Sequence, residues 1–356
     1  MKSRSTSFDI AYRAGVSQAT VSRALRGSPL VNEETRRRVQ AIAKELNYTV
    51  DKHASGLRRQ RATTLALLLF EDPTSDDSLI NPFFLSMLGS ITRAAARQGY
   101  DLLVSFQQSS DDWHADYQDS HKADGLILLG YGDYLVSRGR LERLVEQGTH
   151  FVRWGAVVDG QPGVSIGCDN RQGGTAAGAH LLAQGRRRIG FLGTASPHCP
   201  EFFDRYAGYC AALQAADCAV DERLQIDAAD STELVGYTAM RELLARDARI
   251  DAVFAASDLL AIGALRALAE AGRRVPDDVA VIGFDDIPMA RLTTPPLTTV
   301  LQDTKRAGEL LVSTLLAQIR GETAASCMLP ATLVIRRSCG AAPDADDPAP
   351  HAAPAA

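Results

Sequence analysis

No run of apolar residues in the chain approaches the ~18 that a membrane-spanning helix needs. The opening residues, Met1-Lys2-Ser3-Arg4-Ser5-Thr6-Ser7, carry charge without the apolar stretch that a secretory signal places behind it. Both absences make the cytoplasm the expected location. The six cysteines (Cys168, Cys199, Cys210, Cys218, Cys327 and Cys339) are scattered and form no C-x-x-C pair, so free thiols are expected. His198 and Cys199 are neighbours, but no matching pair follows at ligand spacing, and no metal site is expected. The chain also lacks G-x-S-x-G, H-E-x-x-H, the phosphate-binding P-loop and the kinase signatures, so neither catalytic residues nor a cofactor are expected. Gly173-Gly174-x-x-x-Gly178 is glycine-rich without dinucleotide spacing and reads as room for a helix to approach a strand.

What the sequence does have is an uneven charge. Residues 1–61 hold 13 Lys/Arg against 5 Asp/Glu, whereas the rest hold 25 against 38. A basic module of net +8 therefore precedes an acidic body of net −13, the pattern of a head that meets a polyanion and a body that does not. A chain of 356 residues is too long for one ordinary core, and two or three domains are expected.

Within the basic module three short helical patterns fit. Phe8–Ala14 is followed by Gly15, placed as a left-handed stop. Val16 fills the corner, and Ser17 can cap a second helix that runs to about Leu25. That helix gathers Val21, Ala24 and Leu25 on one side and Gln18, Ala19, Ser22, Arg23 and Arg26 on the other. Amide, hydroxyl and guanidinium groups on a short surface helix suit the major groove, since Arg pairs with guanine and Gln with adenine. Asn32 then caps a third helix, with Glu33 and Glu34 in its first turn. Its inner stripe is Val39, Ile42, Ala43 and Leu46; its outer face carries Arg36, Arg37, Arg38 and Lys44. Three helices with a glycine between the first two predict a helix-turn-helix domain over residues 1–50.

Asp9-Ile10-Ala11, Ala14-Gly15-Val16-Ser17, Thr20-Val21-Ser22-Arg23-Ala24-Leu25, Val31-Asn32-Glu33-Glu34-Thr35-Arg36 and Leu46-Asn47-Tyr48 together resemble the lac repressor/galactose repressor (LacI/GalR) family, and the likeness runs through nearly the whole chain. The resemblance implies double-stranded operator DNA as partner. It assigns base reading to Gln18, Ala19 and Arg23, phosphate contacts to Thr20, Ser22, Thr35 and Tyr48, and includes Ser17 in the DNA-binding set. Residues 51–63 resemble the family's hinge, in which Leu57 matches the leucine wedged into the central base step and Ala54 the small residue beside it. Asp51, Val50 and Gly56 depart from the usual hinge pattern, and Gly56 costs roughly 1 kcal/mol in a helix.

From Thr64 onward, apolar runs (Leu65–Phe70, Leu102–Val104, Gly125–Leu129, Ile189–Leu192, Ala252–Ala255, Val279–Phe284) alternate with amphipathic stretches (Phe83–Gln98, Arg171–Gln184, Asp204–Ala216, Ser231–Arg246, Asp258–Ala271). This is the signature of parallel sheets covered on both faces. So many units exceed one compact sheet. The expected fold class is therefore α/β, with two doubly wound parallel-sheet lobes over residues 64–340 behind an all-α head. Ligands bind such sheets at the carboxyl ends of their strands, here the cleft between lobes.

The residues placed at those ends suit a sugar, which asks for carboxylate, amide and guanidinium groups and for aromatic faces. Asn81-Pro82-Phe83-Phe84 resembles the family's asparagine-proline-aromatic motif, although each phenylalanine also reads as core. Arg205 opens a segment similar to R-x-x-G, and Ser257-Asp258-x-x-Ala261-x-Gly263 stands where N-D-x-x-A-x-G is usual, with Ser257 in place of Asn. Phe284-Asp285-Asp286 and Gln302 match the segment whose first Asp and whose Gln line the site, the second acid, Asp286, being read as structural. Trp154 reads equally as a stacking ring or as core, and Asp111-Asp112-Trp113-His114 has no counterpart in the family. The resemblance thus implies a small effector, a sugar or alternatively a nucleobase or other metabolite, and a repressor or, less commonly in the family, an activator. The Ala/Pro/Asp tail, residues 341–356, has no periodicity and reads as disordered. It has no leucine heptads, so a homodimer on a palindromic operator is expected. A periplasmic carrier shares such lobes but not a DNA-binding head.

Overall fold

Each helix of the head carries its own start and stop signals. Helix α1, Ser7–Ala14, begins with a reciprocal capping box: the Thr6 side chain accepts from Asp9 N, and the Asp9 carboxylate accepts from Thr6 N at 2.7 Å. It ends at Gly15, whose φ of 65° only glycine adopts without strain. Helix α2, Gln18–Leu25, starts where Ser17 Oγ accepts from Thr20 N at 3.1 Å, and α3, Glu33–Glu45, where Asn32 Oδ1 accepts from Thr35 N at 2.8 Å. Ile10, Ala14, Val21, Ala24, Val39 and Ala43 close into one buried cluster. Arg36, read from sequence as outward-facing, does something else. Its half-buried guanidinium donates to the carbonyls of Ser28 and Val31, both at 3.0 Å, and so braces the α2–α3 loop.

This computed structural model describes residues 6–25, 27–46, 48, 62–72, 78, 80–130, 132–228 and 230–342. Two units separate between Ala62 and Thr63. Residues 51–61 of the hinge and the tail beyond residue 342 lie outside the described residues.

The second unit contains two parallel sheets. Strands β1 (Thr64–Leu69), β2 (Asp101–Phe106), β3 (Gly125–Leu129), β4 (Phe151–Trp154) and β5 (Val164–Cys168) form the first lobe's sheet, with helices α4 (Pro82–Arg97) and α5 (Tyr134–Glu146) between them. Helix α6 (Asn170–Ala183) leads to the second lobe: β6 (Ile189–Leu192), α7 (Pro200–Ala215), β7 (Gln225–Ile226), α8 (Glu233–Arg246), β8 (Ala252–Ala255), α9 (Asp258–Glu270) and β9 (Ala280–Ile282). Then follow β10 (Thr299–Gln302), α10 (Thr304–Ile319), β11 (Cys327–Leu329) and β12 (Ala331–Val334). The sheet orders are β11-β5-β4-β3-β1-β2 and β7-β6-β8-β9, every pairing parallel, and β10 pairs antiparallel with β12.

Strand β1 shows why such strands read as continuous apolar runs. Leu65, Leu67 and Leu69 enter the larger core cluster, while Ala66 and Leu68 enter a separate one with Trp113, Leu126, Tyr134 and Phe151, so both faces of the sheet are buried. The chain crosses between lobes three times, after β5, after β10 and after β11. Asp169 and Asp303 cap the helices at the first two crossings, and Asp169 N donates to Leu329 O at 2.8 Å, which ties the first crossing to the third.

The glycines of the Gly173–Gly178 segment chiefly serve a helix rather than a strand. A Cβ on Gly174 would lie 2.1 Å from the Arg205 carbonyl oxygen, and one on Gly208 would lie 2.0 Å from that of Arg171. Helices α6 and α7 therefore meet backbone to backbone, which fixes the height of Arg205 relative to the first crossing. Gly208→Val is expected to destabilise the body by about 2–4 kcal/mol through overpacking, read as a fall in calorimetric Tm of roughly 5–15 °C.

Candidate functional site

The head presents a polar face along α2. Ala19 and Arg23 are exposed; Gln18, Thr20 and Ser22 are half-buried. Gln18 Nε2 donates to Ser7 Oγ at 2.8 Å, so its amide is already oriented by α1, and the hydroxyls of Ser17 and Thr20 share a hydrogen bond of 2.9 Å. Thr35 sits in the first turn of α3, and half-buried Tyr48 packs against the head's core. Ala54 and Leu57 lie outside the described residues. Sequence reading passed over Phe8 and Tyr12, spaced i, i+4 on α1 and 67% and 90% exposed. Two bare rings on a cationic module form a surface that solvation alone does not favour.

In the body the strand ends converge on Arg205. Its guanidinium has no solvent exposure. Nε donates to Asn170 Oδ1 at 2.8 Å and Nη1 to the carbonyl of Ala256 at 2.5 Å; Nη1 lies 3.6 Å from Asp285 Oδ1. Phe284 stacks beneath it with 3.8 Å from guanidinium carbon to ring centroid. Nη2 is buried, and among the described residues nothing accepts its hydrogens. Gln302 Nε2 donates to Asp285 Oδ1 at 2.6 Å. Burial pushes the Asp285 carboxyl up to about 6, against the opposing pull of Arg205 and Gln302. Its φ of 117° and the 52° of Asp286 turn the two acids apart: Asp286 accepts from the buried Arg336 at 2.7 Å. One acid faces Arg205 and the other Arg336.

The other candidates divide. Phe83 lines a cavity of about 320 Å³ with Asp285 and Gln302. Phe84 is buried in the core, edge-on to Phe83 at 5.2 Å, and Trp154 is buried with its ring 6.1 Å from that of Phe83. Asn81 Oδ1 is spent on capping α4 through Phe83 N. Ser257 shares a 2.6 Å hydrogen bond with Ser231 and caps α9. Three further acids had no place among the site residues expected from sequence. Asp258 is wholly buried, accepting from Thr299 Oγ1 at 2.5 Å and Ile287 N at 2.8 Å, and burial raises its carboxyl well above the ordinary range. Asp72, just past β1, is pushed to about 7 by burial and by Asp230 from beyond β7. Glu201 Oε1 accepts from Ala156 N of the opposite lobe at 2.7 Å.

Glu201 belongs to a seam across the cleft mouth. Tyr134 N donates to His198 O at 2.9 Å, and His198 Nδ1 and Asp133 Oδ2 are 2.7 Å apart. The His198 hydrogen bond is the main reason that Asp133 sits below the usual carboxylate range.

Two family models match the chain. Bacterial regulatory proteins of the lacI family match residues 8–51, and the periplasmic binding protein-like domain matches residues 179–339. The HTH-type transcriptional regulator CelR of Thermobifida fusca is 35% identical, covering 88% of this chain and 92% of its own. The ribose operon repressor of Escherichia coli (strain K12) is 31% identical over 88% and 93%, and the HTH-type transcriptional repressor PurR of Mannheimia succiniciproducens 31% over 93% and 97%. Among solved structures, a transcriptional regulator CelR–cellobiose complex has a TM-score of 0.68 at 33% identity, covering 94% of this chain and 100% of its own. The lac repressor dimer bound to operator and the anti-inducer ONPF has a TM-score of 0.79 at 25% identity, covering 95% and 100%.

The raised Asp285 carboxyl has a thermodynamic consequence. A folded-state value of about 6, above the ordinary 3.8, means that the fold holds this proton more tightly than the unfolded chain does. Its stabilising contribution is complete below pH ~4 and lost as pH rises through ~6. Between pH 4.5 and 7 the Tm of Asp285→Asn is expected to rise relative to that of the ligand-free parent; a constant difference would contradict this placement of the acid.

Proposed function

The chain belongs to the LacI family of bacterial regulatory proteins, and from that membership we propose a cytoplasmic, homodimeric repressor of carbohydrate-utilisation genes, released or engaged by a sugar held between its two lobes. It is a DNA-binding transcriptional regulator and not an enzyme. The observation that carries the effector half is the buried Arg205 guanidinium with an unused donor beside Asp285. A desolvated donor of this kind costs free energy until an acceptor reaches it, and a sugar hydroxyl accepts from Arg205 while donating to Asp285. CelR was solved with cellobiose and a ribose repressor is a relative of similar identity, which supports a sugar over the nucleobase class that PurR relatives represent.

In this reading two heads enter successive major grooves of an inverted repeat. Gln18, Ala19 and Arg23 read bases, while Ser17, Thr20, Ser22, Thr35 and Tyr48 hold the phosphate backbone. Ala54 and Leu57 of the hinge meet the central minor groove. Asn81, Phe83, Phe84, Trp154, Ser257 and Gln302 shape the cleft around Arg205 and Asp285. Effector binding changes lobe closure and thereby the readiness of the hinges to order on DNA. It shifts that balance only by its difference in affinity for the two states.

Arg23→Ala is expected to lower operator affinity by about 1–3 kcal/mol and to relax sequence preference in a gel-shift titration; unchanged preference would reject the recognition helix. A thermal-shift screen should show stabilisation by a sugar and none by hypoxanthine or guanine, with the converse result installing the nucleobase reading. Arg205→Ala should weaken that ligand by at least about 100-fold in calorimetry, and unaltered affinity would move the site elsewhere.

A further inference from the structure

The two helices that open the head meet at their first turns. Ser7 is the first residue of α1 and Gln18 the first of α2, and the bond from Gln18 Nε2 to Ser7 Oγ, 2.8 Å long, joins them. Both of its ends are held by other means. The Thr6–Asp9 capping box fixes the start of α1, Val16 N donates to Ala11 O at 3.1 Å across the turn, and Ile10, Ala14, Val21 and Ala24 pack in one cluster. Ser7 and Gln18 are each half-buried, whereas Ala19 and Arg23, the other two residues assigned to base reading, are exposed.

The neighbouring polar groups of α2 are spent locally. Ser17 Oγ accepts from Thr20 N and shares a hydrogen bond with Thr20 Oγ1. Gln18 instead reaches across to another helix, and the partner it finds there decides what its amide can still do. A carboxamide has an acceptor oxygen and a pair of N–H donors. Ser7 takes one N–H, which leaves the other N–H and Oε1. That remainder matches adenine, whose N6 donates and whose N7 accepts. Guanine presents acceptors at both N7 and O6, so it satisfies the N–H and opposes Oε1.

The bond also restrains a long, flexible side chain before DNA arrives. A free glutamine loses its rotamer freedom on meeting a base, and that loss is subtracted from affinity. A glutamine already held by Ser7 has lost much of it in the folded head. We propose that Ser7, a residue outside the helix that enters the groove, is a positioning residue for base recognition: it holds the Gln18 amide by its nitrogen and leaves Oε1 and the second N–H for an adenine. This rests on the DNA-binding reading above. Ser7 acts through Gln18 and needs no contact with DNA of its own.

The test uses the full-length parent, Ser7→Ala, Ser7→Thr, Gln18→Ala and the variant carrying both Ser7→Ala and Gln18→Ala. Each selects from duplexes randomised over an inverted repeat, and the sequence chosen by the parent is then titrated by gel shift. The position whose preference Gln18→Ala erases should be adenine in the parent's selection. Ser7→Ala should weaken binding to the parent's sequence about 3- to 10-fold, relax that same position and leave the preferences at the others unchanged. The double variant should bind as Gln18→Ala does, and Ser7→Thr, which keeps the hydroxyl, should select as the parent does. The positioning role is overturned, with the DNA-binding reading intact, if Ser7→Ala keeps the full preference for adenine, if it weakens all sequences equally as a loosened head would, if guanine or thymine is selected there, or if Gln18→Ala erases no position. A parent that prefers no inverted repeat to random duplex removes the DNA-binding reading as well.

Discussion

A guanidinium buried beneath the junction of two lobes is the constraint around which the body is organised. Removing Arg205 from water costs several kcal/mol unless its donors and charge are answered. The answers come from distant parts of the chain: Asn170 at the first crossing, the Ala256 carbonyl after β8, the Phe284 ring and the Asp285 carboxylate. Each partner comes from a strand end or crossing, so the parallel topology is what brings them within reach. The backbone contact of α6 and α7 at Gly174 and Gly208 then sets where the guanidinium stands. The arrangement leaves Nη2 without an acceptor among the described residues.

The carboxylates around this centre follow the same economy of position. Asp285 and Asp286 are consecutive and differ entirely in circumstance because their left-handed backbone sends them to different partners, Arg205 and Gln302 for one, Arg336 for the other. Non-glycine residues in this region cost of order 1–3 kcal/mol and are found where geometry has a use. Asp258, close by, is consumed in holding Thr299 and Ile287 together. Of the three, only Asp285 faces the Arg205 guanidinium.

Local chemistry made the fold readable in advance, and long-range packing set the limit. Gly15, Ser17 and Asn32 punctuate the head because capping depends on residues one to three positions away. The strands at Gly125–Leu129, Ile189–Leu192 and Ala252–Ala255 were legible as apolar runs since both their faces are covered. The family motifs pointed to Arg205, Asp285 and Gln302, which the fold does bring together. By contrast Arg36 carries the charge of a surface residue yet closes a loop, and the glycines of α6 announce close approach without saying that α7 is the neighbour. Asp133 and His198 sit in loops and Glu201 in the first turn of α7, and their meeting depends on how two lobes face each other. Trp113 was conspicuous in the sequence but mute, because its neighbours Gln107 and Arg140 are set by tertiary placement alone.

The fastening at the cleft mouth has a bearing on how such a molecule responds. His198 and Asp133 are 56% and 39% exposed at the side chain, and pairs so wetted contribute about 0–1 kcal/mol. The three crossings on the other side are continuous backbone and cannot part. The molecule is therefore a purse whose hinge is covalent and whose clasp is a few hydrogen bonds, those of His198, Tyr134 and the buried Glu201, so that parting the lobes at the mouth breaks hydrogen bonds and no covalent link.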